Sequence, residues 1–241
     1  MSQHVSPFKK RFSEAPWFEK MKGSDVLLIG AGGIGSWVAL CLARIGCNLV
    51  IYDMDTVESH NLGGQLYGHK HVGMLKTEAL VDIVTDLSGK DASIAIEGRY
   101  TNDSYTNNIV VAAFDNMAGR KLAFTKWKEA VLQSENKEEF LFVDGRLLAE
   151  QYQVLAVTHS NMSEYEKTLF DDTEVEEVLC TLKSTTHCSM GIAHDMVAII
   201  TNFMTNRASG MDIRDVPFLT EKTIPLMMYG IKNEWNEEGG V

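Results

Sequence analysis

Apolar positions along the chain fall into two periodicities that alternate. Val26, Leu27, Leu28 and Ile29 form a run that is apolar on both faces and ends in glycines, the pattern of a buried strand. Over 33–45, Ile34, Val38, Leu40, Leu42 and Ile45 recur with small residues between them, which suits a helix packed on a sheet, with Gly46 as its C-terminal cap. A second apolar strand over 48–52 runs into Asp53-Met54-Asp55, completing strand, glycine turn, helix and strand within the span of a βαβ unit. The alternation continues with helices over 74–87 and 116–132 and strands over 93–97, 109–114 and 140–143, which favours a parallel sheet. Residues 150–158 alternate differently and predict an antiparallel addition, 161–178 are acidic and aperiodic and predict a solvated loop, and 190–204 are apolar enough for a buried helix. Residues 216–231 suit a strand pair, 233–241 a frayed tail, and 5–20 a short helix or arm. The expected architecture is α/β: a mostly parallel sheet with helices on both faces and a small antiparallel extension. Its expected parts are an arm (1–22), a main body (23–210), and an extension of that body (211–241).

Composition narrows the function. At 241 residues and 45% hydrophobic, the chain can bury a sizeable core. A formal net charge of -11 disfavours general nucleic-acid binding, because phosphate backbones are repelled. The N-terminal stretch has no apolar core of signal-peptide length, and no run approaches a membrane span. Cys41, Cys47, Cys180 and Cys188 show no regular framework, so reduced thiols in a cytoplasmic protein are expected.

The chemistry-bearing motif is Gly30-Ala31-Gly32-Gly33-Ile34-Gly35, a G-x-G-x-x-G between strand and helix. The first glycine permits the turn, the second lets backbone approach a phosphate, and the third lets helix pack on strand. The helix N-terminus offers free N–H groups and a positive dipole end to an anion. Asp53, at the end of the next strand, is placed for ribose hydroxyls, which makes the unit Rossmann-like. A dinucleotide for hydride transfer and ATP both use such a turn. The residues that lean toward ATP lie beyond it: Asp55, Asn61, Gln65, Lys76 and, after the fourth strand, Asp115 with Arg120. They sit near the C-terminal ends of the strands, where ligands bind in open α/β sheets. Lys76 is a point charge suited to a triphosphate, and Asp115 a carboxylate suited to Mg²⁺.

The stretch from Gly30 through Asp53, Asp55, Asn61, Gln65, Lys76, Asp115 and Arg120 resembles the ubiquitin-activating-enzyme-like superfamily, the ThiF/MoeB/HesA-type adenylyltransferases, over about residues 11–205. The resemblance implies ATP and Mg²⁺ as cofactors, adenylation of the C-terminal glycine of a small ubiquitin-like or sulfur-carrier protein, and a homodimer. It assigns ribose to Asp53, phosphate to Asn61, Gln65 and Lys76, and the metal to Asp115, and makes Arg11-Phe12-Ser13 the segment that reaches a partner's site. A non-catalytic nucleotide-binding module and an NAD-dependent oxidoreductase stand as alternatives.

The chain departs from the family pattern in three places. Gly64 stands where an arginine usually precedes the glutamine, and Arg11, Lys70 or Arg146 are the expected substitutes. Without a Cys-x-x-Cys pair, no structural zinc is expected. Cys180 falls near the position of the family's carrier cysteine and Cys188 next to the start of the last long helix, each with packing as the competing role. His60, His69 and His71 read as loop residues near the site, and His187 beside Cys188 as a neighbour in sequence only.

Overall fold

The computed structural model describes residues 13–89, 93–170 and 185–234. Its frame is an eight-stranded sheet in the order β3-β2-β1-β4-β5-β6-β7-β8. The strands are β1 (Asp25–Ile29), β2 (Asn48–Asp53), β3 (Ser93–Glu97), β4 (Ile109–Ala112), β5 (Leu141–Leu148), β6 (Gln151–Val157), β7 (Leu219–Thr223) and β8 (Met228–Lys232). The first five pair in parallel and the last three are added antiparallel. The α/β expectation and its antiparallel extension therefore hold.

Helices cover both faces. On one side α2 (Gly33–Ile45), α3 (Lys76–Ser88) and the 24-residue α6 (Thr186–Ser209) bury Val38, Leu42, Leu80, Ile192, Met196 and Ile200 against Leu28, Leu49, Val111 and Val143. On the other, α4 (Met117–Gln133) and the short α5 (Met162–Glu166) build an aromatic layer over Leu27, Val110 and Leu155. In that layer Phe124, Trp127, Phe142 and Tyr165 meet with ring centroids 4.6–6.0 Å apart, within the range aromatic pairs favour. A strand that is apolar on both faces, as β1 is, must be covered on both, and here it is.

Three expectations need correction. The segment at 161–178 is not wholly solvated: α5 lies within it and buries Tyr165 completely, because one aromatic in an acidic stretch is enough to dock a turn. Residues 171–184, including Cys180, lie outside the described residues, as do Arg11, Phe12 and the 235–241 tail. Of the arm, only the four-residue helix α1 (Phe18–Met21) is described, with Phe18 and Met21 fully buried. The fourth strand ends at Ala112 rather than Phe114, and the fifth runs five residues past Val143, through Asp144, Gly145 and Arg146.

The chain reverses its progress across the sheet between β1 and β4: β2 and β3 extend one way, β4 and β5 the other. At such a switch point the connections leave in opposite directions and open a crevice at the C-terminal ends of the strands.

Candidate nucleotide-binding rim

The glycine turn lies at that crevice, between β1 and α2. Gly30 takes φ 98, in the left-handed region, and a Cβ there would lie 2.4 Å from the carbonyl oxygen of Ala113 beyond β4. A Cβ on Gly35 would lie 1.8 Å from the Gly30 carbonyl oxygen. These two glycines are required by the fold itself, since they let β1, β4 and α2 approach. Gly32 is different: a Cβ there would meet nothing within 4 Å. Its bareness serves no packing, and leaves open space above a helix start that has no side-chain cap and no acid in its first turn. With Gly33 opening the helix, unclaimed N–H groups and a dipole end face that space, an arrangement that favours an anion.

Asp53 holds the turn in place. One carboxylate oxygen accepts from the Ala31 N–H at 2.7 Å and the other from the Asp55 N–H at 2.8 Å. Tyr67, absent from the sequence-based candidates, donates its buried hydroxyl to the Ala31 carbonyl at 2.6 Å, and the same oxygen lies 3.2 Å from the Lys76 carbonyl. It thereby couples the turn to the start of α3. Burial, assisted by the Asp53 charge, pushes the Tyr67 hydroxyl well above its ordinary pKa, so it stays a donor at neutral pH.

Beside the turn, Asp55, Thr56, Glu58, His60, Asn61 and Lys76 line a polar cleft of about 360 Å³. Lys76 is 8% exposed, and its Nζ reaches the Asp55 carboxylate at 2.8 Å. Asn61 is buried and closes a 3-10 turn (Ser59–Gly63) by accepting from the Glu58 N–H at 2.8 Å. The loop then folds back onto α2: Trp37 donates to the Gly64 carbonyl at 3.1 Å, and Ser36 accepts from the Leu66 N–H at 3.1 Å. Gln65, between those two anchors, keeps its Oε1 buried without a hydrogen-bond partner among the described residues. Buried polar atoms are nearly always paired, which makes this one an exception.

Asp115 stands exposed after β4, with one oxygen accepting from the Asn116 side chain at 2.9 Å. Asn116 also caps α4, its Oδ1 accepting from the Gly119 N–H at 2.7 Å. The turn carrying Asp115 is braced from below. Arg120 donates to the carbonyls of Phe114 and Gly145, and its Nε meets the fully buried Asp144 at 2.8 Å. Arg146 and Tyr165 complete the set around Asp144 at 2.8 Å and 3.0 Å. Burial pushes the Asp144 carboxyl up, but the two guanidinium groups outweigh it and hold it below the ordinary carboxylate range. This buried hub was the main omission of the sequence reading. Its signal is an acid in the middle of an apolar strand with an arginine two residues on.

Two expected substitutes for the arginine absent at Gly64 are therefore committed elsewhere. Arg146 is turned into Asp144 and Thr168, and the exposed Lys70 pairs with Asp82 at 3.2 Å. His71 is buried and accepts from the Gly68 N–H at 2.9 Å, while His60 lies by Glu58 at the mouth of the cleft. Cys188 is buried in the first turn of α6, and Cys47 is buried too, with Cys41 half-buried. A larger hollow of about 630 Å³, at Glu135–Glu139 with His159, lies at the opposite end of the sheet and has no glycine turn.

The ThiF family model matches residues 5–216. The chain belongs to the ThiF family. Similar sequences include ubiquitin-like modifier-activating enzyme 5 of Oryza sativa subsp. japonica (35% identical over 104 residues, 42% of this chain and 23% of that protein). The adenylyltransferase and sulfurtransferase MOCS3 of Aedes aegypti is 36% identical over 110 residues (43% and 25%). The tRNA threonylcarbamoyladenosine dehydratase of Bacillus subtilis is 33% identical over 89 residues (36% and 35%). The matches span only about a quarter to a third of those relatives' lengths. The fold of this ThiF-family chain is that of E. coli MccB: TM-score 0.69 with the MccA-N7isoASN complex at 16% identity, covering 91% of this chain and 67% of that one. Against MccB with ATP the TM-score is 0.67 at 14% identity, covering 97% and 73%. No helix among the described residues is long and apolar enough to cross a membrane.

Proposed function

We propose that the chain is an ATP-dependent adenylyltransferase that activates a carboxylate, at the C-terminus of a small ubiquitin-like or sulfur-carrier protein or of a peptide. The observation that carries this reading is the space left open over Gly32, bordered by the uncapped start of α2 on one side and the Lys76–Asp55 cleft on the other. That arrangement suits a polyphosphate: backbone N–H groups for its oxygens and a lysine for its charge. Asp53, fixed by the turn, borders the same space. MOCS3 and Uba4 are named adenylyltransferases, which supports the same class of chemistry here, and MccB, which shares the fold, has been crystallised with ATP and with MccA.

In the proposed reaction a carboxylate oxygen attacks the α-phosphorus. The new O–P bond forms as the bond to the bridging oxygen breaks, and pyrophosphate leaves with that electron pair. The nucleophile is already ionised at neutral pH, so no base is needed. Mg²⁺, held at Asp115, would neutralise phosphate charge. Arg120 and Asp144 keep the Asp115 turn in place, and Lys76 stabilises charge that grows on the leaving group. Among the described residues Lys76 is the Lys or Arg that lines the cleft, so it takes on work that an arginine at position 64 would share.

The distinguishing test uses ATP labelled at the γ-phosphate, with Mg²⁺ and a panel of carrier proteins and peptides. Adenylation releases the label as pyrophosphate and transfers AMP. Label released as orthophosphate would contradict the proposal. The Gly64 substitution favours a second reading, a nucleotide-binding module without catalysis; it predicts ATP retention and no carrier-dependent release.

A further inference from the structure

Outside the nucleotide rim, the structure brings three donor groups together that the adenylation chemistry does not use. Glu150, His187 and Cys188 each present one ligating atom, and the three atoms lie within 4.8 Å of one another. We propose that they form a binding site for a divalent transition-metal cation of the zinc class.

Two parts of the fold build the group. Glu150 lies in the tight connection between β5 and β6, where Ala149 takes φ 54, a left-handed conformation uncommon for a residue with a side chain. That turn brings Glu150 against α6, where His187 Nε2 stands 3.5 Å from its Oε1. Tetrahedral zinc with bonds of about 2.0–2.2 Å to nitrogen and oxygen separates two such ligands by roughly 3.4 Å, so this pair is already spaced for a shared ion. A zinc–sulfur bond of about 2.3 Å asks for roughly 3.6 Å from sulfur to the other two, a closing movement of about 1.2 Å at most for the Cys188 side chain.

Chemistry agrees with spacing. A thiolate, an imidazole and a carboxylate form a mixed soft and borderline donor set that suits zinc better than magnesium or calcium. Cys188 sits in the first turn of α6, next to His187 in the chain and facing the turn that carries Glu150. The cation's two charges balance those of Cys188 and Glu150. Cys188 is fully buried while the His187 and Glu150 side chains are substantially exposed, so the thiol forms the floor of the site and the ion enters from solvent. The Thr185 hydroxyl, 3.3 Å from His187 Nε2, is the partner the ion would displace. Three protein ligands leave one position for water or another ligand, unlike a closed structural site. The group also adjoins the nucleotide rim, since Thr186, next to His187, donates its hydroxyl to the Gly63 carbonyl. This site differs from the Cys-x-x-Cys zinc whose absence the sequence predicts, and it stands independently of the adenylation proposal.

The test is Co²⁺ titration of the chelator-stripped full chain, followed by Zn²⁺ displacement. The expected result is a single equivalent bound, with a near-ultraviolet sulfur-to-cobalt charge-transfer band that zinc abolishes. Cys188→Ser should remove the band. His187→Ala and Glu150→Gln, at exposed side chains that the core does not need, should weaken binding by more than the roughly 10–100-fold that changes around a metal's ligands usually cost. No uptake by the wild-type chain, a band that survives Cys188→Ser, or unchanged affinity in both other variants would overturn the assignment.

Discussion

The glycines at 30, 32 and 35 look alike in sequence yet answer to different constraints. A Cβ on Gly35 would overlap the Gly30 carbonyl, so Gly35→Ala should lower Tm well below that of Gly32→Ala, whose methyl would enter open space. Binding of ATP should show the opposite ranking among variants that stay folded, with Gly32→Val binding most weakly. Calorimetry and nucleotide titration of the three variants check this; equal Tm losses in Gly35→Ala and Gly32→Ala would contradict it. Asp144 makes the second residue-scale case. Its removal strands the buried Arg120 guanidinium and the partly buried one of Arg146, and Asp144→Asn should cost about 3–5 kcal/mol in denaturant unfolding. The sign with pH follows from its depressed pKa. Its stabilising contribution is fully present above the unfolded value of about 3.9 and is lost as pH falls through the folded value. The wild type should therefore lose stability below about pH 4 more steeply than Asp144→Asn does. Parallel acid-unfolding curves would show that the hub does not carry this contribution.

At the scale of elements, what was legible in the sequence tracks how local the cause is. The helix α2 is bounded as its pattern indicates, because a glycine turn at one end and Gly46 in the left-handed region at the other are both local signals. The length of β5 is not local: it extends past Val143 because β6 folds back and pairs with it through Leu148. An acid and an arginine that would end an exposed strand are tolerated here by partners 20 or more residues away in α4 and α5. The docking of the 59–66 loop through Trp37 and Ser36 is likewise a tertiary matter, and with it the isolation of the Gln65 Oε1. The α4 cap was local and gives a prediction of its own. Asn116→Ala should cost about 1 kcal/mol through loss of the cap. It should also free the Asp115 side chain and raise the Mg²⁺ concentration needed for half-maximal activity. An unchanged Mg²⁺ requirement would argue that Asp115 does not depend on this cap.

For the whole molecule, the sheet's switch point and the cleft at Lys76 concern one rim, while the antiparallel strands widen the sheet on the far side of β5. A ligand that binds only the folded state stabilises it by about 2.7 kcal/mol at a hundredfold excess over Kd. For a chain of this size that corresponds to a Tm rise of roughly 5–10 °C. Mg·ATP should produce such a rise and NADH should not; the reverse pattern would favour a hydride-transfer enzyme. The central claim concerns chemistry rather than binding, and carrier-dependent exchange of pyrophosphate into ATP tests it most directly. The account predicts exchange by the wild-type chain with at least one carboxylate-bearing carrier or peptide. It further predicts a loss of about 10²–10³-fold in Lys76→Ala, the size found when one preorganised group facing developing charge is removed. ATP binding without exchange for any carrier, or exchange that Lys76→Ala leaves unchanged, would contradict it.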